Sequence, residues 1–264
     1  KWHVAQDAVN QAAALVLTTV GMAREAGVPE DRWVYLHGHS DAKDKLVSQR
    51  EDLSRSTAID IVLKRALAAS QLDAAQIKHF ALYSCFPIVV MLAAEYLGIN
   101  PAKRDVTVTG GLPFFGGPGN NYSTHAIASM VNILREDREA YGLVLANGGF
   151  VSKESAGIYS TRPPKRDIDP RSAVAKTIEV QHPDIVMVDE DCVATIEAYT
   201  VKHGKTGPAD AYVIGHSTKG RVIARIDISD PRSVAFLAAG DTLVGRVLNI
   251  EHHGGANFVS LEGF

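Results

Sequence analysis

The sequence is short of the features that most often announce a function. It has two cysteines, Cys85 and Cys192, too few and too far apart for a disulfide framework or a zinc-ligand pattern. A reducing compartment fits, and the plainer reading of each thiol is a small buried hydrophobe. No apolar run reaches the ~18 residues that cross a bilayer, and the first residues lack the charged, apolar and cleavage regions of a signal peptide. The expectation is a cytoplasmic location with no membrane association. Charge of neither sign dominates: a net charge of −3 and a pI near 6.4 leave no electrostatic footprint for nucleic acid or an anionic surface. Aromatic residues make up 7% of the chain, and Tyr199, Tyr212, Arg221, Arg225 and Arg246 are scattered rather than gathered into a ribbon. Nucleic acid is therefore not an expected partner. Internal repeats and low-complexity segments are absent as well.

What is present is an ordinary globular balance: 264 residues, 46% hydrophobic and 22% charged, enough for one large or two modest domains with a sizeable core. Up to residue 160, helical and strand signals alternate. VNQAAA (residues 9–14) predicts a helix, and the apolar run to residue 20 a strand. Residues 22–26 predict a short helix stopped by Gly27 and Pro29, and RWVYLHG (32–38) a strand. Ser56 then caps a helix whose apolar positions Ile59, Val62, Leu63, Ala66 and Leu67 recur at three-to-four-residue spacing, which makes one buried face.

IKHFALYS follows as a strand, residues 88–97 as a helix closed by Gly98, VTVTGG (106–111) as a short strand, and residues 121–135 as a long helix. YGLVLAN and the stretch 150–160 complete the sheet. Alternation of this kind predicts an α/β layered domain. RPPKRDIDP (162–170) breaks the pattern and opens a connector to about residue 192. Beyond it lie β-rich segments with Gly, Pro and Lys turns, interrupted by a short helix near residues 232–239. Strands, a helix, then further strands suit a five-stranded OB-like barrel over residues 193–264.

Several chemistry-bearing residue types have plain explanations. GGLPFFGGPGNN is glycine-rich but lacks the Gly-Lys-Ser/Thr ending of a phosphate loop and the Gly-x-Gly-x-x-Gly spacing of a dinucleotide site. His37 and His39 near Asp41 lack a further ligand cluster, and a strand-end loop explains them better than a metal; His252 and His253 read the same way. No metal is expected.

KHFALYSCFPIVVMLAAEYLGI resembles the thiolase stretch in which a strand leads through Asn-Glu-Ala-Phe, or His-Asp-Cys-Phe in the sterol-carrier type, into a helix. Tyr83, Ser84, Cys85 and Phe86 occupy the tetrapeptide. VTVTGGLPFFGGPGNN is similar to the thiolase double glycine and Gly-His-Pro loop, with Gly117 at the histidine position. GLVLANGGFVSKESAGIYS resembles the last core strands, with Ala146 at the active-site cysteine position beside Asn147. VNQAAALVLTT resembles the start of the second thiolase repeat. With a trailing β domain, the combination looks most like the actinobacterial thiolase-like proteins of type 1, a group named acetyl-CoA acetyltransferases by kinship. The resemblance implies a layered mixed-sheet thiolase half over residues 1–161, a connector at 162–192 and an additional OB-like domain over 193–264.

The resemblance also implies a substrate class and a partner. The substrate would be a coenzyme A thioester, with no bound cofactor, in lipid metabolism. The nucleophilic cysteine and much of the CoA-binding surface belong to the first thiolase half, so the start at Lys1 is expected to mark a fragment, a processed product or one chain of a split protein. Association with that half, in an oligomer, is expected. Because Gly117 and Ala146 carry no titratable group, the standard thiolase route is not expected from this chain. Three residues stand in for it as candidates: Tyr83, whose plainer reading is a buried tyrosine with a satisfied hydroxyl; Cys85, as core packing; and His125, as a core histidine. Gly117, Asn120 and Asn147 are candidate pocket-lining positions, with helix capping the plainer reading for Asn120 and Asn121 and a turn for Asn147. An aldolase-like carbon–carbon lyase leaning on Tyr83, and a non-catalytic scaffold for acyl-CoA or lipid, are the alternative functions.

Overall fold

A computed structural model describes residues 4–165, 177–259 and 261. The chain forms two units: Lys1–Leu46 with Arg55–Gln181, and Val47–Ser54 with His182–Phe264. Part of the expected connector, residues 166–176, lies outside the described residues.

The first unit is built on a five-stranded mixed sheet of order β2-β3-β4-β1-β5, with strands β1 (Tyr35–Lys43), β2 (Ile77–Ala81), β3 (Tyr141–Gly148), β4 (Lys153–Ser160) and β5 (Ile178–Glu179). Strand β4 is antiparallel to both β1 and β3, while β2 runs parallel to β3 and β5 to β1. Period-two alternation along β3 sends Leu143 and Leu145 to one face and Val144 to the other, and both faces are covered. On the first face lie α2 (Thr57–Ser70) and α3 (Pro87–Leu97), which bury Ile59, Val62, Leu63, Val89 and Ala93 against Phe80, Leu82 and Ile158. On the other face α4 (Tyr122–Glu136) buries Ala126, Met130 and Leu134. Each fully buried Val, Leu or Ile side chain contributes roughly 1.5–3 kcal/mol, so this sandwich of helix, sheet and helix accounts for most of the unit's cohesion.

The helix starts follow local chemistry. Ser56 Oγ accepts the Ile59 N–H at 3.3 Å, the cap expected for α2. Gly142 lets α4 approach the sheet: a Cβ there would meet Met130 Sδ.

Three expected elements differ. Residues 5–19 form neither the helix nor the strand read from VNQAAALVLTTV. The chain there runs without regular structure, Ala5 and Gln6 donate to the Cys85 and Leu112 carbonyls, and α1 (Val20–Glu25) begins only after Thr19. Val16 and Leu17 are about nine-tenths exposed (94% and 90%), so the apolar stripe that would have paid for a helix has nothing to bury against. The strand expected at 106–111 is likewise missing. Thr107 Oγ1 accepts the N–H groups of Thr109 and Gly110, and these side-chain turns take donors that a ladder would need. Finally, β2 stops at Ala81, and Leu82 to Phe86 form an irregular link into α3.

The second unit is a closed barrel of order β10-β8-β7-β6-β9, made from β6 (Cys192–Gly204), β7 (Gly207–Ser217), β8 (Gly220–Ile226), β9 (Val247–His253) and β10 (Ala256–Val259). Helix α5 (Pro231–Ala239), capped by the Asp230 carboxylate on Arg232 N–H at 3.0 Å, lies between the third and fourth strands, the OB-like arrangement expected from the sequence. Alternate residues Ala194 and Ile196, Ala211 and Val213, and Val222, Ala224 and Ile226 fill the interior. Cys192 is half-buried and packs against that core. Val47–Ser54 also belongs to this unit. The buried Arg221 guanidinium donates to the Ser48, Arg50 and Glu51 carbonyls and pairs with Glu197 at 3.2 Å.

Candidate functional site

Strands β1 and β3 both run antiparallel to β4, so their carboxyl ends meet the amino end of β4 at one edge of the sheet. Ligands of open α/β sheets bind at such edges, outside the carboxyl ends of the strands. A pocket of about 600 Å³ opens there, floored by Asp41 and Lys43 of β1, Ala146 and Asn147 of β3, and Lys153, Glu154 and Ser155 of β4. Tyr83, from the link after β2, and Asn120 and Ser123, at the start of α4, complete the wall. The amino end of α4 favours negative charge on its side of the pocket.

Tyr83 is held from both sides. Leu82 N–H donates to the Val106 carbonyl at 2.8 Å, and the Tyr83 ring meets the buried Tyr122 ring edge-on, centroids 5.3 Å apart. The Tyr83 hydroxyl makes no hydrogen bond among the described residues, so the satisfied-core reading does not describe it. Burial, with smaller effects from Cys85 and Tyr122, raises its pKa above the ordinary tyrosine value. It is therefore a neutral O–H, a donor rather than a base.

Cys85 sits beside the pocket without lining it. Asn147 Nδ2 donates to its Sγ at 3.1 Å, while Asn147 Oδ1 is buried with no hydrogen-bond partner among the described residues. Burial raises the Cys85 pKa; the bonds from Asn147 and from the Phe86 backbone oppose that rise, and the nearby Glu154 charge reinforces it. A protonated thiol is a poor nucleophile, and packing against the α2 and α3 core is what the geometry shows for it.

Of the other candidates, Asn120 and Asn147 border the pocket, whereas Gly117 and His125 do not. Gly117 is buried under the amino-terminal segment. Its N–H donates to the Gln6 carbonyl at 2.8 Å, and a Cβ there would stand 3.0 Å from Ala5 Cβ, so this position has no room to present a side chain to substrate. His125 meets the Phe115 ring edge-on at 5.1 Å, with Nε2 3.3 Å from Asn121 Nδ2. That contact also corrects the capping expectation. Asn121 occupies the N-cap of α4 but makes no side-chain cap bond, because its amide reaches one turn along the helix instead, and Asn120 is an exposed rim residue.

The sequence reading missed the charged floor: Asp41, Lys43, Lys153 and Glu154. Asp41 accepts from the Ser155 hydroxyl, Lys43 lies 3.7 Å from Glu179, and Glu154 is only 3% exposed. A signal was available, since Glu154 shares the face of Ala156 and Ile158 on β4, where alternation calls for an apolar residue. The histidine pairs have local partners: His37 Nε2 lies 2.8 Å from the Arg162 carbonyl, His39 Nδ1 4.0 Å from Asp41, and His252 Nδ1 2.8 Å from Asn257 Oδ1. Among the described residues no group of three or more His, Cys, Asp or Glu side chains could hold a metal ion, and no helix is long and apolar enough to cross a membrane.

No protein-family profile matches the chain. A curated relative, acetyl-CoA acetyltransferase 1 of Arabidopsis thaliana, is 26% identical over 139 residues, which cover 52% of this chain and 31% of that protein. The crystal structure of a monomeric SCP2-thiolase-like protein type 1 from Mycobacterium smegmatis superposes with a TM-score of 0.77 at 34% identity, covering 90% of this chain and 52% of that one. The chain thus spans about half the length of the solved structure and a third of the curated relative. A likeness that runs through nine-tenths of the chain, on a layered α/β unit followed by a small barrel, identifies this chain as thiolase-like.

Proposed function

We propose that this chain supplies one side of an acyl-CoA thioester site, with the nucleophile contributed by a first thiolase half, in the lipid metabolism of the cytoplasm. The observation that carries the reading is the convergence of Tyr83, whose hydroxyl makes no hydrogen bond among the described residues, with Asn147 and Asn120 on one pocket at the carboxyl ends of the strands. A neutral O–H aimed at a thioester carbonyl stabilises the oxygen wherever it gains charge, the service an oxyanion hole provides. Gly117 and Ala146, where the resemblance puts the thiolase histidine and cysteine, offer no acid or base. The acyltransferase relative's activity therefore comes to this chain only as substrate class, not as the standard condensation route. A non-catalytic acyl-CoA-binding form of the same reading is favoured by the packing of Gly117 under Ala5.

Titration calorimetry tests the proposal. The full chain is expected to bind acetyl-CoA more tightly than CoA, and Tyr83→Phe to remove that preference by about five- to tenfold, the worth of one hydrogen bond. Equal affinity for acetyl-CoA and CoA in the wild type, or no binding of either, would sink it. Acyl transfer from acetyl-CoA by the chain combined with a first thiolase half then separates the enzyme from the scaffold.

A further inference from the structure

The pocket face of the sheet carries a cation that no carboxylate of the fold answers. Lys43 of β1 and Lys153 of β4 are direct cross-strand partners, and both line the pocket. Side chains directly opposite in an antiparallel ladder have Cβ atoms about 5 Å apart, and like charges set there repel. Lys43 has a loose partner in Glu179, 3.7 Å away and not part of the wall. The Lys153 ammonium makes no hydrogen bond or ion pair among the described residues. Asp41, two residues back along the same face, accepts from the Ser155 hydroxyl and lies 4.0 Å from His39. Glu154 belongs to the other face: register pairs it with Ala42, and alternation puts it on the side of Ala156 and Ile158, under α2 and α3, where it has a partner of its own. An unanswered cation beside a second cation, in a cavity of about 600 Å³, calls for an anionic ligand. The amino end of α4, which reaches the wall at Ser123, acts in the same sense.

We propose that this pocket selects acyl thioesters whose far end carries a carboxylate, a dicarboxylic acid joined to coenzyme A at one end, and that Lys153, with Lys43 beside it, is the residue that pairs with that end. The inference rests on the thioester reading and names its acyl group. Strand geometry sets the scale. Lys43 and Lys153 lie two residues beyond the row Asp41, Ser155 and Ala146, about 7 Å along the strands. A five-carbon glutaryl chain lying along that face brings its free carboxylate within reach of the two flexible lysine stems. The carboxylate pairs with Lys153 and relieves the repulsion between the lysines, whereas an alkyl end of the same length would set a methyl group against hydrated ammonium groups and do neither. No bond is made or broken in this selection: Lys153 is a specificity-determining residue.

Titration calorimetry with glutaryl-CoA and pentanoyl-CoA, which share a five-carbon chain and differ at its last carbon, tests the inference on the full chain. The wild type is expected to favour glutaryl-CoA by about three- to tenfold at low ionic strength, the worth of one or two partly exposed ion pairs, and the preference should shrink as salt is added. Lys153→Gln should lose most of the preference, Lys43→Gln a smaller share, and Lys153→Glu should reverse it. Each variant removes a like-charge neighbour, so none is expected to lower the urea midpoint, which serves as the check on folding. A wild type that binds both thioesters equally overturns the inference and leaves the thioester reading standing. So does a Lys153→Gln chain that binds both more weakly by the same factor, which would assign the lysine to the phosphates of the coenzyme. Failure to bind either of these or acetyl-CoA removes both readings.

Discussion

At the scale of single residues, Tyr83 and Cys85 stand two positions apart and do different work: Tyr83 lines the pocket with a hydroxyl that makes no hydrogen bond among the described residues, and the Cys85 thiol is tied to Asn147 and packed on the core. Their proximity to a site was legible from the tetrapeptide they share, but their division of labour depends on which way an irregular link turns. Glu154 was legible only against the alternation of its strand, as a charge on the face where Ala156 and Ile158 call for an apolar residue. His37 offers a test of buried charge. It lies at 6% exposure with Nε2 on the Arg162 carbonyl, and burial, the largest effect, depresses its pKa below the usual 6.5; the Arg162 carbonyl opposes this and the Arg162 charge adds to it. The unfolded chain therefore binds the proton more readily than the folded one. Above pH 6.5 the two states carry the same neutral ring and stability is unaffected; as pH falls below it, the unfolded state gains. Urea midpoints at about pH 7.5 and about pH 5.5 should differ by more in the wild type than in His37→Gln, which lacks the titrating group. Equal shifts in both would place the acid sensitivity elsewhere.

At the scale of elements, legibility followed the strength of local chemistry. Helix α2 was readable because Ser56 caps it and six apolar residues share one face, and α3 because Gly98 ends it in a left-handed turn. The failures fell on segments whose backbone donors go to loops rather than to neighbours in a ladder: residues 5–19, and Thr107 with its two turn bonds. Composition cannot say where such bonds go. Packing between elements was also invisible in the pattern, yet Gly142 is decisive for how α4 meets β3, since any side chain there collides with the fully buried Met130. Gly142→Ala should destabilise the first unit by about 1–3 kcal/mol, the range for overpacking a filled core. Pairing it with Met130→Ala should return part of that loss in a double-mutant cycle, whereas purely additive effects would show that the contact is not the cause.

At the scale of the whole molecule, the order of an α/β part before a β part was readable from alternating helical and strand signals that give way to β-rich segments after residues 162–170, and the barrel's strand and helix order followed from its turns. The membership of Val47–Ser54 in the second unit was not. Nothing in those residues marks them, and the partner that holds them, Arg221, lies about 170 positions away. A fragment of residues 182–264 should accordingly be less stable than the same barrel in the full chain, because Arg221 would lose three carbonyl acceptors while buried beside Glu197. The expected loss is roughly 1–3 kcal/mol, the cost of stranding buried polar groups, read as a lower urea midpoint for the fragment. A fragment that melts with the intact chain would show that the segment is dispensable.

The Arg221 clamp also bears on the order of events when the chain is made. Its acceptors are among the first fifty or so residues to leave the ribosome and its guanidinium is among the last fifty. The loop must therefore wait, its carbonyls hydrated, through the synthesis of nearly the whole first unit. Closing so long a loop is slow, and entropy defers it until other contacts have formed. The barrel is then the last part of the chain to lock, and mutations at Arg221 should be felt mainly in how fast the finished protein comes apart rather than in how fast it begins to fold.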